Sequence, residues 1–159
     1  MSVLYVLRRA TVEDIPAIAS LWVEMTAFHA ACDARFRPHP DGPDNWTKTL
    51  AEWIERDDMA VFVADAAGRV VGYTIAMDRE SPPVLLPSRY GFVSDLAVTV
   101  SWRRRGVATA LLKAAIAWFK ERGLPEFRLN VANQNAVSNA FWQSMGLQPY
   151  MQLMWSEVK

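Results

Sequence analysis

The chain has 159 residues, 17 lysines and arginines against 17 aspartates and glutamates, and one cysteine, Cys32. Zero net charge argues against a general nucleic-acid binder, which carries a basic excess, and a single cysteine excludes an internal disulfide and suits a reducing, cytoplasmic setting. The sequence has no long uninterrupted apolar run and no signal-peptide pattern, so neither a membrane partner nor export is expected, and its length suits one domain over residues 1–159 with a core that needs no staples.

Residues 3–7 form a short apolar run fit for a strand. A helical pattern starts at Thr11, with Ile15, Ile18, Trp22, Met25 and His29 on one face. Thr11 and Asp14 have capping-box spacing, and a cap at Asp14 seats Pro16 in the first turn. Residues 37–43, Arg-Pro-His-Pro-Asp-Gly-Pro, read as a loop. Asp44 or Asn45 then caps a second helix bearing Trp46, Leu50, Trp53 and Ile54. Residues 60–64 and 70–77 read as strands joined by a hairpin turn at Ala66-Ala67-Gly68-Arg69. A loop over 78–89 leads to a strand over 90–100. Residues 106–122 form the most regular helix, with Ala108, Leu111, Leu112, Ala115, Ile116 and Phe119 on one stripe and Gly123 and Pro125 at its end. A strand over 127–131, a helix over 135–145 ending at Gly146, and a last strand over 150–158 complete the chain. The order β-α-α-β-β-β-α-β-α-β predicts an α/β (α+β) domain, a mixed sheet with helices on both faces.

Between the strand at 90–100 and the helix at 106–122 lies Arg103-Arg104-Arg105-Gly106-Val107-Ala108. A glycine and the small residues Ala108 and Thr109 let backbone N–H groups approach an anion where the helix N-terminus is partly positive. The glycine spacings exclude both Gly-x-Gly-x-x-Gly and the P-loop. Three adjacent arginines oppose the helix dipole unless an anion sits there. The amides of residues 104–109 would then serve two phosphates, with the arginines steering a polyanion inward. A solvated basic helix start and a nucleic-acid patch are the other readings of the same run.

The pattern Arg-x-x-Gly-x-Ala resembles the acyl-CoA-binding turn of the GNAT family of N-acetyltransferases, Gln/Arg-x-x-Gly-x-Gly/Ala. The stretch from Asn135 to Leu147 resembles the family's other signature, Asn-x-x-Ala-x-x-Phe/Leu-Tyr-x-x-x-Gly-Phe. Asn135, Ser138, Phe141 and Gly146 take their places in it, while Trp142 stands where many members have Tyr and Leu147 replaces the final Phe. The element order is also the family's, so the resemblance covers nearly the whole chain. It implies the GNAT fold, a mostly antiparallel mixed sheet splayed between its fourth and fifth strands. It implies acetyl-CoA as acyl donor, no metal, and direct attack by a primary amine of a small molecule, peptide or protein. The pantetheine arm would pair with the backbone of Leu96, Ala97 and Val98. The diphosphate would rest on Arg103, Arg104, Arg105, Gly106, Val107, Ala108 and Thr109, with Asn135, Asn139 and Trp142 also facing the cofactor. A homodimer sharing the last strand is a further implication. A CoA-binding relative without turnover is the alternative that Trp142 keeps open.

A protonated amine has no lone pair, so the transfer needs a base. Asp95 interrupts an apolar strand beside the expected cleft, where burial would raise its pKa. It is the first candidate, ahead of Tyr90 and Glu80, and a purely structural carboxylate is its plain alternative. In the family the tyrosine usually protonates the leaving thiolate, which the Trp142 indole cannot do. Solvent or another group must serve, or the chemistry is slow; Trp142 itself then packs on the pantetheine or in the core. His29, Cys32, Asp33 and His39 have ligand-like chemistry, fitting either a zinc site or ordinary helix-end solvation. By resemblance, Phe28, His29, Phe36 and Trp46 shape the acceptor pocket.

Overall fold

In the computed structural model, which describes residues 4–158, five strands lie side by side in chain order: β1 (Val6–Arg9), β2 (Met59–Ala66), β3 (Arg69–Glu80), β4 (Arg89–Val98) and β5 (Phe127–Leu129). The first three pairings are antiparallel and the last is parallel. Local chemistry sets this pattern. Ala67 and Gly68, at φ 53° and 83°, close a tight β2–β3 hairpin. The parallel step from β4 to β5 requires a crossover, supplied by helix α3 (Val107–Glu121).

Helices α1 (Ile15–Cys32) and α2 (Gly42–Ile54) cover one face, where Ile18, Leu21 and Leu50 pack on Val61, Val63, Tyr73 and Ile75. On the other face, Leu112, Ala115 and Phe119 of α3 meet Ala60, Ala76 and Val93, and helix α4 (Ala136–Ser144) adds Phe141 and Trp142. Val12–Cys32 is apolar enough (mean hydropathy 1.2) and long enough to span a bilayer, yet in this fold it lies against the sheet through Ile18 and Leu21.

The element ends differ from the sequence pattern in instructive ways. The first strand begins at Val6, and Val3, where the pattern began, lies outside the described residues. A 3-10 turn, Val12–Asp14, precedes α1, and the Asp14 carboxylate accepts the Thr11 backbone N–H at 2.8 Å while also holding Arg8. Helix α2 starts at Gly42, inside the expected loop, because Pro43 has the φ that a first turn needs.

The expected last strand does not form. Residues 149–158 adopt no regular structure, and Leu153, Met154 and Val158 are 98%, 82% and 101% exposed. The tail touches the domain where Arg128 covers the Tyr150 ring and Arg35 the Trp155 ring. A strand needs a hydrogen-bonded neighbour, and the outer edge of the short β5 pairs with nothing among the described residues.

Candidate active site

Strands β4 and β5 pair only between Gly91–Val93 and Phe127–Leu129. On the β3 side the register jumps at Ser94, from Ile75↔Asp95 to Ala76↔Val93. Such a bulge bends a strand and strengthens its twist. Past it, Leu96, Ala97 and Val98 have β3 on one side and no β5 neighbour on the other. The gap opens into a cavity of about 550 Å³ between the C-terminal half of α1, the end of β4, the start of α3 and the face of α4. The Thr99 N–H bonds to Val71 on β3, so by strand alternation Val98 and Leu96 turn their backbone groups toward the gap.

One flank is the turn into α3. Arg104 sits at φ 61° and Gly106 at φ 79°, a left-handed pair that curls successive N–H groups toward one side. Arg104 accepts backbone strain that only glycine takes freely. The first backbone bond of the helix runs from Ala110 N–H to the Gly106 carbonyl at 3.0 Å. The six amides of residues 104–109 donate to no acceptor among the described residues. A Cβ at Gly106 would meet nothing within 4 Å. These residues therefore fit a diphosphate group.

The arginines divide. Arg103 is spent on the protein: its Nε donates to the Val98 carbonyl at 3.1 Å, and its guanidinium lies 3.7 Å from Glu24 and over the Phe28 ring. Arg105 stacks on Trp102 and does not line the cavity. Arg104 lines the cavity and has no side-chain partner among the described residues. Val107, Ala108 and Thr109 line it as well.

The other flank, α4, is differently committed. Asn135 is 1% exposed; its Oδ1 accepts the Ser138 N–H at 3.0 Å, and its Nδ2 faces His29 Nε2 at 3.4 Å. Asn139 does not line the cavity; its amide donates to the Ala132 and Asn135 carbonyls at 2.9 and 2.8 Å, tying down the β5–α4 loop. Trp142 lines the cavity with its ring edge-on to Phe141.

Asp95 is set behind the wall and does not line the cavity. Its carboxylate accepts from the Tyr73 hydroxyl at 3.1 Å and lies 3.3 Å from Ser94 Oγ, on the α1–α2 face. Strand alternation across the bulge decides this face, which the sequence left open. Burial pushes the Asp95 carboxyl above its ordinary range, with Tyr73, Ser94 and the nearby His29 pulling the other way. Burial likewise raises the Tyr73 phenol, and Asp95 adds to it. The other base candidates, Tyr90 and Glu80, lie outside the cavity wall. No group of three or more His, Cys, Asp or Glu gathers to hold a metal among the described residues. Asp33 is held by Arg35, His39 accepts the Asp41 N–H, and His29 turns into the cavity.

Two positioning residues carry no sequence signal. Glu24 accepts the Val100 N–H at 2.9 Å and the Thr99 hydroxyl at 3.1 Å, fastening α1 to the turn before α3. Gly72 lets α3 approach the sheet: a Cβ there would lie 3.2 Å from Val107 and from Leu111 and 3.0 Å from the Ala97 carbonyl. Both act across elements, which neither periodicity nor motif spacing records.

Residues 20–147 match the model of the Acetyltransferase (GNAT) family. The aminoglycoside N(6')-acetyltransferase type 1 of Salmonella typhimurium is 29% identical over 117 residues, covering 69% of this chain and 75% of that protein. Among solved structures, a Bacillus halodurans protein crystallised as a mutant superposes with a TM-score of 0.86 at 22% identity, over 97% of this chain and 99% of the other. An aminoglycoside N-acetyltransferase, AAC(6')-Iy, solved in complex with CoA, superposes with a TM-score of 0.77 at 20% identity over 98% and 95%. The same enzyme is also known with a bisubstrate analogue, CoA-S-monomethyl-acetylneamine. With the splayed sheet and the amide-lined turn already in place, the match over most of the chain settles the matter: this protein belongs to the GNAT family and is an N-acetyltransferase with acetyl-CoA as its acyl donor.

Proposed function

We propose that the protein transfers the acetyl group to a primary amine of a small molecule by direct attack in a ternary complex. The observation that carries this reading is the row of six uncommitted amides at residues 104–109 beside the cavity. They bind the diphosphate, with the Arg104 guanidinium adding charge. Leu96 and Val98 supply the pantetheine arm with strand-like partners. The Val98 carbonyl already serves Arg103, so its N–H and the groups of Leu96 remain for the arm and for the oxyanion of the tetrahedral intermediate. Trp142 packs against the arm, and the leaving thiolate takes its proton from the attacking nitrogen or from water, since a thiol pKa of about 8.5 makes the anion a tolerable leaving group.

The aminoglycoside acetyltransferases among the relatives support a small amine as acceptor. The carboxylates around this cavity narrow its charge. Glu24 serves Val100, Thr99 and Arg103, Asp33 serves Arg35, and Asp95 is buried under Tyr73. The walls contributed by Leu21, Met25, Phe28 and Phe141 are apolar. An acceptor with one cationic nitrogen on an apolar body fits this surface better than a polycation. The exposed tail at 149–158 supports a homodimer in which the tail of one copy pairs with the β5 edge of the other, so deleting it should leave a monomer by light scattering. The free Cys32 suits a cytoplasmic setting.

Calorimetry with acetyl-CoA, followed by thiol release across a panel of monoamines, diamines and aminoglycosides, tests the reading. Micromolar binding and release with a monoamine are expected. Absence of acetyl-CoA binding would overturn it, and release with polycations alone would overturn the acceptor class.

A further inference from the structure

The wall of the cavity holds one imidazole, and its hydrogen bonds fix which nitrogen is basic. His29 Nδ1 lies 2.9 Å from the Met25 carbonyl. A carbonyl only accepts, so Nδ1 carries the proton and Nε2 carries a lone pair. The Asn135 amide is oriented just as firmly. Its Oδ1 accepts the Ser138 N–H, a group that only donates, so its NH₂ must be the end that meets His29 Nε2. That contact is 3.4 Å, at the long limit of a hydrogen bond. The single lone pair of Nε2 therefore points at this amide and is held only weakly, so an incoming ammonium takes it by displacing the Asn135 contact. The Phe36 ring packs against the imidazole at 5.3 Å between centroids and limits its rotation.

We propose that His29 is the general base of the transfer, its Nε2 taking the proton that the acceptor ammonium must lose, and that Asn135 is the residue that positions it. This rests on the acetyl-transfer reading above. The ammonium gives one proton to Nε2. The freed nitrogen pair attacks the thioester carbon, and the C–S bond breaks with its electrons going to sulfur. The second nitrogen proton ends on that sulfur, leaving the amide and the CoA thiol. The imidazolium then returns its proton to water. Of the charged or titratable groups, Asp95 on β4 is near enough to act on His29 and Glu24 with Arg103 lines the same cavity; Cys32 follows one turn along α1, and Asp33 in the loop beyond is paired with Arg35. Asp95, set behind the wall, supplies a carboxyl near the imidazolium and does not itself touch the acceptor. The assignment also accounts for Asn135, whose amide faces His29 instead of solvent.

The chain has two histidines, so the exposed His39 is the natural control. With an amine that the parent acetylates, His29→Gln should lower kcat/KM about 10²-fold, the usual scale for a general base. It should abolish the acid limb of the pH profile and leave acetyl-CoA affinity within about threefold. His39→Gln should change none of these. Asn135→Asp keeps an acceptor for Ser138 N–H but places a carboxylate against Nε2, and should move the acid limb to higher pH, since an opposite charge favours the imidazolium. In the His39→Gln protein, the remaining imidazole should show Nδ1 protonated and Nε2 bare in its long-range ¹H–¹⁵N spectrum. The assignment is overturned if His29→Gln keeps kcat/KM within threefold with the acid limb intact, or if the spectrum shows the opposite tautomer. In both cases acetyl transfer by the parent would still stand. If the parent binds acetyl-CoA and acetylates no amine at all, the acetyl-transfer reading fails and the His29 assignment falls with it.

Discussion

The two flanks of the cleft carry the same kind of chemistry, backbone and amide N–H groups, and have disposed of it in opposite ways. On the α3 flank, the six amides of residues 104–109 have no acceptors among the described residues, and all of these residues but Arg105 line the cavity, with left-handed backbone at Arg104 and Gly106. On the α4 flank, the amides of Asn135 and Asn139 are engaged by Ser138, His29, Ala132 and the Asn135 carbonyl. An unpaired N–H at a surface turn is kept solvated until an anion arrives, whereas a buried amide must find a partner within the fold. The α3 flank is therefore built to bind and the α4 flank to position.

The contrast is broken most directly at Gly106. Gly106→Val puts a β-branched residue at φ 79°, where such side chains are outliers, and should weaken acetyl-CoA binding about 10²-fold, the loss of two charge-assisted hydrogen bonds at roughly 1.5 kcal/mol each. Calorimetry showing less than a threefold change would dissociate the turn from the diphosphate. Arg104→Ala should cost a smaller factor, about fivefold, shrinking as salt rises because the side chain is exposed. Equal losses at low and high salt would argue against a phosphate partner. Asn135→Ala should leave acetyl-CoA affinity within about threefold while lowering Tm by roughly 2–4 °C, the loss of a helix cap worth about 1 kcal/mol; a tenfold affinity loss would erase the distinction between the flanks.

The smallest effect concerns Asp95, which lies behind the cavity wall on the α1–α2 face of β4. Its folded-state pKa is raised above the ordinary 3.8 by burial. A group raised on folding contributes stability that is fully present below its unfolded value and lost as pH rises through the folded value. Asp95→Asn should therefore flatten the decline in Tm as pH rises from near 4, and melting curves across that range compare it with the parent. A steeper decline in the variant would mean that the Tyr73 and Ser94 bonds outweigh burial.

The α3 flank was legible in the sequence because its chemistry is local. The glycine, the small residues and the helix start are consecutive, and the backbone amides of a helix's first turn are unpaired whatever the rest of the chain does. Even there, Arg103 and Arg105 look alike in the sequence and part company only when Glu24, Val98 and Trp102 come near. The α4 signature placed its helix well, but the destination of the Asn135 amide depends on α1, more than a hundred positions away. The sequence places Asp95 beside the cleft but leaves its face open, and it lies behind the wall, since a single bulge at Ser94 reverses which face a strand residue takes. The tail at 150–158 alternates as a strand should, yet alternation does not provide an edge to pair with.

By itself the sequence determined the order of elements, the amide-lined turn and the two family signatures, because periodicity, caps and helix starts are fixed by neighbours within a few positions. Only the tertiary structure decided which arginine stays uncommitted, which face Asp95 takes and which group the Asn135 amide meets. Those outcomes depend on hydrogen-bond partners drawn from distant elements, and a buried donor or acceptor is assigned its role by whatever group the fold brings within about 3 Å.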